Sequence, residues 1–128
     1  MSDATEDVVR QFCRAWSAGD PDQLLALMTK DAVFHNVPMK PLIGEAALRT
    51  AFEAYFRRAS NFHFEIVNMA SVGGLVFAER LDTFDIGDAH VALPCNGVFE
   101  VVDGKIAAWR DYFDEATIDQ QVSEPVRS

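Results

Sequence analysis

The sequence has 128 residues, 49% of them hydrophobic, which is enough for one domain with an apolar core, and we expect residues 1–128 to form a single domain. Asp and Glu number 20 against 11 Lys and Arg, and the formal net charge of -9 opposes contact with a phosphate backbone or an anionic membrane. Nucleic acid and membranes are therefore not expected partners. The acidic amino terminus lacks the basic start and apolar run of a secretion signal, so we expect a cytoplasmic protein.

The first part of the chain has the pattern of helices. Apolar residues recur three and four positions apart over residues 6–18, which predicts an amphipathic helix. Asp20 and Pro21 then provide an N-cap and a proline at the first helical position, so a second, short helix is expected. Residues 31–37 alternate weakly as a strand. After a loop bounded by prolines, a third helix is expected from residue 45 to about residue 58.

The rest of the chain has the pattern of strands. Turn signals containing glycine separate four apolar-rich runs, at residues 62–69, 75–86, 90–102 and 105–113. Four such strands after three helices predict an α+β domain, in which a curved antiparallel sheet wraps around a helix and encloses a pocket. The polar tail after residue 115 is expected to pack as a last turn or to fray.

Charged residues stand on faces that are otherwise apolar in two of these strands. Because side chains alternate along a strand, one face of residues 75–86 contains Val76, Ala78, Arg80, Asp82 and Phe84. The same alternation puts Asp111 on a face with Ala107, Trp109 and Phe113. Both carboxylates are therefore expected to point into an apolar interior.

Two buried carboxylates with one buried arginine suggest a specific arrangement. A buried carboxylate must be paired, hydrogen-bonded or neutral, and Arg80 has the donors to bridge Asp82 and Asp111. Such a cluster holds one carboxylate ionised and favours a proton on the other, which gives one base and one acid. That pair can deprotonate a water while protonating a leaving oxygen atom of a substrate. The alternative is an ion-pair network that only holds the strands together.

Asn36 is a further candidate, because it follows Phe34 by two residues and shares its face of the strand. A side-chain amide there can orient a water, since it both donates and accepts hydrogen bonds. The alternative is a turn former, because Pro38 follows closely.

The remaining candidate groups do not suggest a metal or a nucleophile. Cys13 and Cys95 lack the close spacing of a redox pair or metal knuckle, so we interpret both as buried free thiols. His35, His63 and His90 lack the spacing of a metal site and are interpreted as edge or surface residues, with His35 facing away from the pocket. We therefore expect neither a cofactor nor a metal.

Four stretches of the chain resemble the limonene-1,2-epoxide hydrolase family of the NTF2-like, SnoaL-like superfamily. They are Phe-Cys-Arg-Ala-Trp at 12–16, Phe-His-Asn-Val-Pro at 34–38, Glu-Arg-Leu-Asp at 79–82 and Gly-Lys-Ile-Ala-Ala-Trp-Arg-Asp-Tyr-Phe-Asp at 104–114. The likeness spans nearly the whole chain, and the last stretch is the most specific. It implies a cone-shaped NTF2-like fold with an antiparallel or mixed sheet, a homodimer, and an epoxide hydrolase that uses no cofactor.

The resemblance also implies roles for individual residues. Asp82 matches the acid that protonates the epoxide, Asp111 matches the base that takes the water proton, and Arg80 couples them. The family holds its water with an Asn and a Tyr two residues apart; here these positions are Asn36 and Phe34, and the missing phenol is expected to lower or redirect activity. The implied pocket wall suggests a small apolar epoxide as substrate and consists of Phe34, Met39, Phe84, Leu93, Cys95 and Phe113.

Two other functions remain open on sequence grounds. An isomerase or cyclase, of the ketosteroid isomerase or SnoaL type, uses the same fold with a carboxylate base, although Arg80 between two Asp residues argues against it. A noncatalytic domain that binds a small ligand is mildly favoured by the missing Tyr.

Overall fold

The computed structural model describes residues 3–123 of the protein. In chain order the elements are α1 (Asp3–Trp16), α2 (Pro21–Ala26), β1 (Met28–Val37), β2 (Leu42–Ile43), α3 (Glu45–Arg58), β3 (Ser60–Val72), β4 (Leu75–Ile86), β5 (Ala89–Val102), β6 (Lys105–Tyr112) and α4 (Glu115–Ser123). This is the predicted order of helices followed by strands, and the α+β class is confirmed.

The strands form one mixed sheet in the order β2-β1-β6-β5-β4-β3. The last four strands in the chain make the predicted antiparallel meander. β1 closes the sheet differently, because it pairs parallel with β6. It also begins at Met28, three residues before the predicted start, and the short β2 that pairs with it was not predicted. Two residues are too few to produce a periodic pattern.

The helices lie where the sequence pattern predicts them, except that α1 begins three residues and ends two residues earlier than the predicted range 6–18. α2 begins as predicted, because the side chain of Asp20 accepts a hydrogen bond from the backbone N–H of Asp22 at 2.9 Å. α3 has the predicted bounds, and the polar tail forms the nine-residue α4 rather than a single turn. Residues 124–128 of that tail lie outside the described part of the chain. Within residues 3–123, each helix is too short or too polar to cross a membrane.

Aromatic side chains fill the concave side of the sheet and form one end of a cavity. Trp16 on α1 stacks on Phe64, with 4.9 Å between ring centroids, and meets Trp109 edge-on at 5.8 Å. Phe34 also stacks on Trp109, with 4.3 Å between ring centroids. Cys13 packs in this core and, like Cys95, is a buried free thiol as predicted. The rings of Trp16, Phe34, Phe64 and Trp109 therefore form the inner wall of the cavity.

Candidate active site

Arg80, Asp82 and Asp111 meet on the concave face of the sheet and are at most 5% exposed. Nε and Nη2 of Arg80 donate to the two oxygens of Asp82 at 2.9 and 2.7 Å. Nη1 and Nη2 donate to the two oxygens of Asp111 at 3.0 and 2.8 Å. One guanidinium thus makes two bidentate pairs, which is the strongest geometry available to arginine and carboxylate.

The sheet register brings these residues together across β5. Arg80 and Asp82 share a face of β4, while Asp111 lies two strands away on β6, opposite Gly97 of β5. A Cβ at Gly97 would lie only 2.5 Å from Nη1 of Arg80 and 2.8 Å from Oδ1 of Asp111. Because Gly97 has no side chain, the guanidinium of Arg80 has room to reach across β5 to Asp111. This residue was not predicted from the sequence, in which its only signal is a glycine within a strand.

Trp109 holds Asp111 from the core side. Its indole Nε1 donates to Oδ1 of Asp111 at 2.6 Å, which adds to the bond that Oδ1 accepts from Arg80. Oδ2 accepts one strong bond, from Nη2 of Arg80, and the thiol of Cys95 is only a weak further donor to this carboxylate, so a water can still bond there. Strand alternation predicts that Trp109 and Asp111 share a face, but it does not predict that the indole donates to the carboxylate.

The pKa values of Asp82 and Arg80 are both raised, but for different reasons. Burial raises the pKa of Asp82, the bonds from Arg80 oppose that rise, and the charge of Asp111 adds to it. Burial opposes the charge of Arg80, but the two carboxylates hold its pKa above the ordinary value. A cluster of one fixed cation and two carboxylates is neutral when it contains one additional proton. The raised pKa makes Asp82 a favourable place for that proton.

Cys95 completes the surroundings of the cluster. Its Sγ lies 3.4 Å from Nη2 of Arg80, and burial raises the pKa of the thiol, so it remains protonated. Sγ and carboxylate oxygens of Asp82 and Asp111 lie within 4.8 Å of one another, a spacing that would suit a metal. The guanidinium, however, already bonds to both carboxylates, and a cation here would meet its charge at close range. These residues therefore fit a proton better than a metal ion.

The cluster faces a cavity of about 300 Å³, at the lower end of the range typical of small-molecule sites. All the pocket residues predicted from the sequence line it, namely Phe34, Met39, Phe84, Leu93, Cys95 and Phe113. Asp82 and Asp111 supply charge to an otherwise mostly apolar wall. The exposed Arg58, Glu115 and Asp119 also line the cavity and were not predicted from the sequence.

Asn36 also lines the cavity, because β1 pairs with β6 and sets Asn36 beside Asp111 in the register. Its Nδ2 donates to the phenol oxygen of Tyr55 on α3 at 3.1 Å. Tyr55 was not predicted from the sequence, in which its only signal is a tyrosine near the end of a helix. None of the three histidines lines the cavity, and His35 instead contacts the carbonyl oxygen of Met39 at 2.7 Å.

The sequence of the chain is similar to a family of epoxide hydrolases and to an individual epoxide hydrolase. The family model described as the limonene-1,2-epoxide hydrolase catalytic domain matches residues 3–124. The epoxide hydrolase EphG of Mycobacterium tuberculosis is 35% identical over 106 residues, which are 83% of this chain and 70% of that protein.

The fold of the chain is also similar to those of solved structures. An epoxide hydrolase from M. tuberculosis, described as like limonene-1,2-epoxide hydrolase, superposes with a TM-score of 0.83 at 31% identity, over 93% of this chain and 90% of that one. A Catenulispora acidiphila protein of ketosteroid isomerase-like fold has a TM-score of 0.84 at 19% identity, covering 92% and 93%. The predicted NTF2-like fold is thereby confirmed. Since the family match covers all of the described residues, the chain belongs to the limonene-1,2-epoxide hydrolase family.

Proposed function

We propose that this protein hydrolyses a small apolar epoxide to a vicinal diol in one step, by general acid and base catalysis. The observation that carries the proposal is the buried Arg80, which makes four hydrogen bonds to two carboxylates at an apolar cavity. Burial strengthens interactions between these groups and a reacting molecule, because little solvent competes with them.

Asp111 acts as the base. Its Oδ1 is held by Trp109 and Arg80, whereas Oδ2 accepts only one strong bond, from Arg80, and can accept another from a water in the cavity. A water that donates to Oδ2 and to the amide of Asn36 is oriented for attack on an epoxide carbon. As the new C–O bond forms, the water proton passes to Asp111.

Asp82 acts as the acid. Burial raises the pKa of its carboxyl group, which favours the protonated form needed to donate to the epoxide oxygen. Breaking the C–O bond leaves an alkoxide that takes this proton and becomes the second hydroxyl of the diol. One proton transfer from Asp111 to Asp82 then restores the resting state, and Nη2 of Arg80 bonds to both residues.

The cavity favours a compact apolar substrate. Its volume of about 300 Å³ and its wall, which includes Phe62, Phe84, Leu93 and Ile118, suit a terpene or aromatic epoxide better than a charged metabolite. The apolar wall binds the substrate body by the hydrophobic effect, and the polar cluster acts on the ring oxygen.

The test is diol formation by purified protein from limonene oxide, cyclohexene oxide and styrene oxide, with a chelator present. Asp111→Asn removes the base and Asp82→Asn removes the acid, so we expect each to lower kcat by at least about 100-fold. Asp88→Asn is the matched control, because Asp88 is an exposed residue of the turn between β4 and β5. Diol production that survives in Asp111→Asn would contradict the proposed role of this base.

The other functions of this fold give different results in the same assay. A substrate that rearranges without gaining water would indicate an isomerase or cyclase. A ligand that binds wild type and both Asp variants equally, with no product, would indicate a noncatalytic binding domain. Phe34, which lacks the phenol found at this position in the family, is the feature that favours the latter.

We also propose that the protein forms a homodimer through the outer face of the sheet. Phe77 on β4 and Tyr112 on β6 point away from the concave side and are 45% and 46% exposed. Burying large apolar side chains stabilises an association between copies. Sedimentation velocity is expected to give a dimer mass for wild type and a monomer mass for Phe77→Arg; a monomeric wild type would contradict the proposal.

A further inference from the structure

A phenol reaches the active site from a helix. Tyr55 lies in the last turn of α3, lines the cavity with Asn36 and Asp111, and accepts a hydrogen bond from Nδ2 of Asn36 at 3.1 Å. It is one of two tyrosines in the chain. The other, Tyr112, is exposed and is not among the cavity residues.

The direction of this bond determines which groups remain available. Because the phenol oxygen accepts from Asn36, its own hydroxyl proton is free to donate. Among the described residues, Oδ1 of Asn36 accepts no hydrogen bond, and Oδ2 of Asp111 accepts one strong bond, from Arg80, with the Cys95 thiol as a weak further donor to the carboxylate. One donor and two acceptors thus remain around one part of the cavity.

These three groups match the hydrogen-bonding capacity of one water. A water has two protons and two lone pairs. It can donate to Asn36 and to Asp111 and accept from Tyr55, which leaves one lone pair for the electrophile. With the two acceptors alone, the water could still swing about the line that joins them, so the third contact fixes the direction of that lone pair.

Phe34 supplies no such donor. Its ring stacks on Trp109 with 4.3 Å between centroids and meets the ring of Tyr55 edge-on at 6.3 Å. Burial raises the pKa of Tyr55, the bond from Asn36 lowers it, and the charge of Asp111 raises it again. The net rise keeps the phenol protonated, and hence a donor, at neutral pH.

We propose that Tyr55 is a water-positioning residue that holds the attacking water together with Asn36 and Asp111, and so takes the role of the hydroxyl missing at Phe34. The proposal rests on the proposed function, because it concerns the water used in epoxide opening. It assigns the phenol to a helix instead of the strand that carries Asn36.

The first experiment compares Tyr55→Phe with Tyr112→Phe in the diol assay. Loss of one hydrogen bond to the water is expected to lower kcat roughly two- to tenfold and to leave KM nearly unchanged, since the substrate itself loses no contact. Tyr112→Phe removes the other phenol of the chain and is expected to match wild type. A Tyr55→Phe variant as fast as Tyr112→Phe, or one changed only in KM, overturns the proposal.

A double variant tests whether a phenol, rather than packing, is what matters. Phe34 and Tyr55 both line the cavity, so Phe34→Tyr returns a hydroxyl to the same region. We expect Phe34→Tyr in the Tyr55→Phe background to recover part of the lost kcat. Circular dichroism and thermal unfolding of each variant check that the fold is retained.

A spectroscopic titration separates this inference from the proposed function. In Tyr112→Phe the only phenol is Tyr55, whose ionisation is followed by the ultraviolet absorbance of phenolate. Asn36→Leu removes the bond that lowers the pKa of Tyr55, so that pKa is expected to rise further, and a fall overturns the arrangement. If wild type forms no diol, both the proposed function and the role of Tyr55 fail. If wild type forms diol and Tyr55→Phe is equally fast, only the role of Tyr55 fails.

Discussion

Gly97 and Asp111 lie opposite each other on β5 and β6, and the carboxylate oxygen Oδ1 occupies the space next to the glycine where a side chain would begin. A Cβ at this position would lie 2.8 Å from Oδ1 and 2.5 Å from Nη1 of Arg80. Both distances are shorter than van der Waals contact allows. The charge cluster therefore depends on a residue that takes no part in its chemistry.

Gly97→Ala is expected to displace the guanidinium and to weaken the pairs with Asp82 and Asp111. Overpacking of this kind lowers the free energy of unfolding by about 1–3 kcal/mol, and a displacement near 1 Å can lower kcat by roughly 100-fold. Chemical denaturation and the diol assay measure the two effects. Asn96→Ala, next to it on the exposed face, is the control and should change neither. A fully active Gly97→Ala would show that the cluster tolerates the added methyl group.

The cluster itself could be predicted from the sequence because strand alternation is a local property. Arg80 and Asp82 are two residues apart on one strand, so an apolar face that includes them requires a partner, and Asp111 was the other inward carboxylate. Gly97 and Tyr55 could not be found in this way. Their proximity to the cluster depends on the register of β5 and on the packing of α3, which involve residues distant in sequence.

In the fold, too, local features could be predicted from the sequence and contacts between distant residues could not. The bounds of α3 and β4 follow from periodicity and turn signals within each segment, and both were predicted as observed. The parallel pairing of β1 with β6 joins residues more than 70 positions apart in the chain and has no local pattern. The length of α4 was likewise underestimated, because its polar sequence is stabilised by contacts with β5.

The raised pKa of Asp82 predicts how stability depends on pH. A carboxyl group whose pKa is above its ordinary value of 3.8 in the folded state binds protons more tightly there than in the unfolded chain. Its contribution to stability is therefore fully present below 3.8 and is lost as the pH rises through the folded-state value. The free energy of unfolding of wild type, relative to Asp82→Asn, should fall over that range.

Chemical denaturation of both proteins at a series of pH values tests this prediction. The other carboxylates are common to the two chains, so their contributions largely cancel in the difference. A difference that instead increases with pH would show that the pairs with Arg80 outweigh the effect of burial on Asp82.

The two thiols are expected to be unreactive in the folded protein. Burial raises the pKa of Cys13 to about 12 and raises that of Cys95 as well, so neither forms the reactive thiolate near neutral pH. A chromogenic disulfide reagent should therefore detect almost no thiol in native protein and two per chain after denaturation. Rapid labelling of Cys95 alone, blocked by an epoxide substrate, would mean that the reagent enters the cavity and finds a thiolate.

Gln121 is expected to hold α4 over the cavity. Its side-chain amide accepts from the backbone N–H of Ala92 at 2.8 Å and donates to the Ala92 carbonyl at 2.9 Å, as a neighbouring strand would. Ala92 lies on the part of β5 that extends beyond the end of β6, so this edge has no strand partner there. Ile118 of α4 lines the cavity, and the position of the helix thus affects the apolar wall that contacts the substrate.

Gln121→Ala removes both bonds to β5, which at about 0.5–1.5 kcal/mol each should let α4 open more often. We expect KM for an apolar epoxide to rise roughly two- to tenfold, with a smaller change in kcat because Asp82, Asp111 and Arg80 lie on other elements. Hydrogen exchange at the amide of Ala92 should accelerate in parallel. Gln120→Ala, the exposed neighbour on α4, is the control. An unchanged KM with faster exchange at Ala92 would show that α4 covers the cavity without contributing to substrate binding.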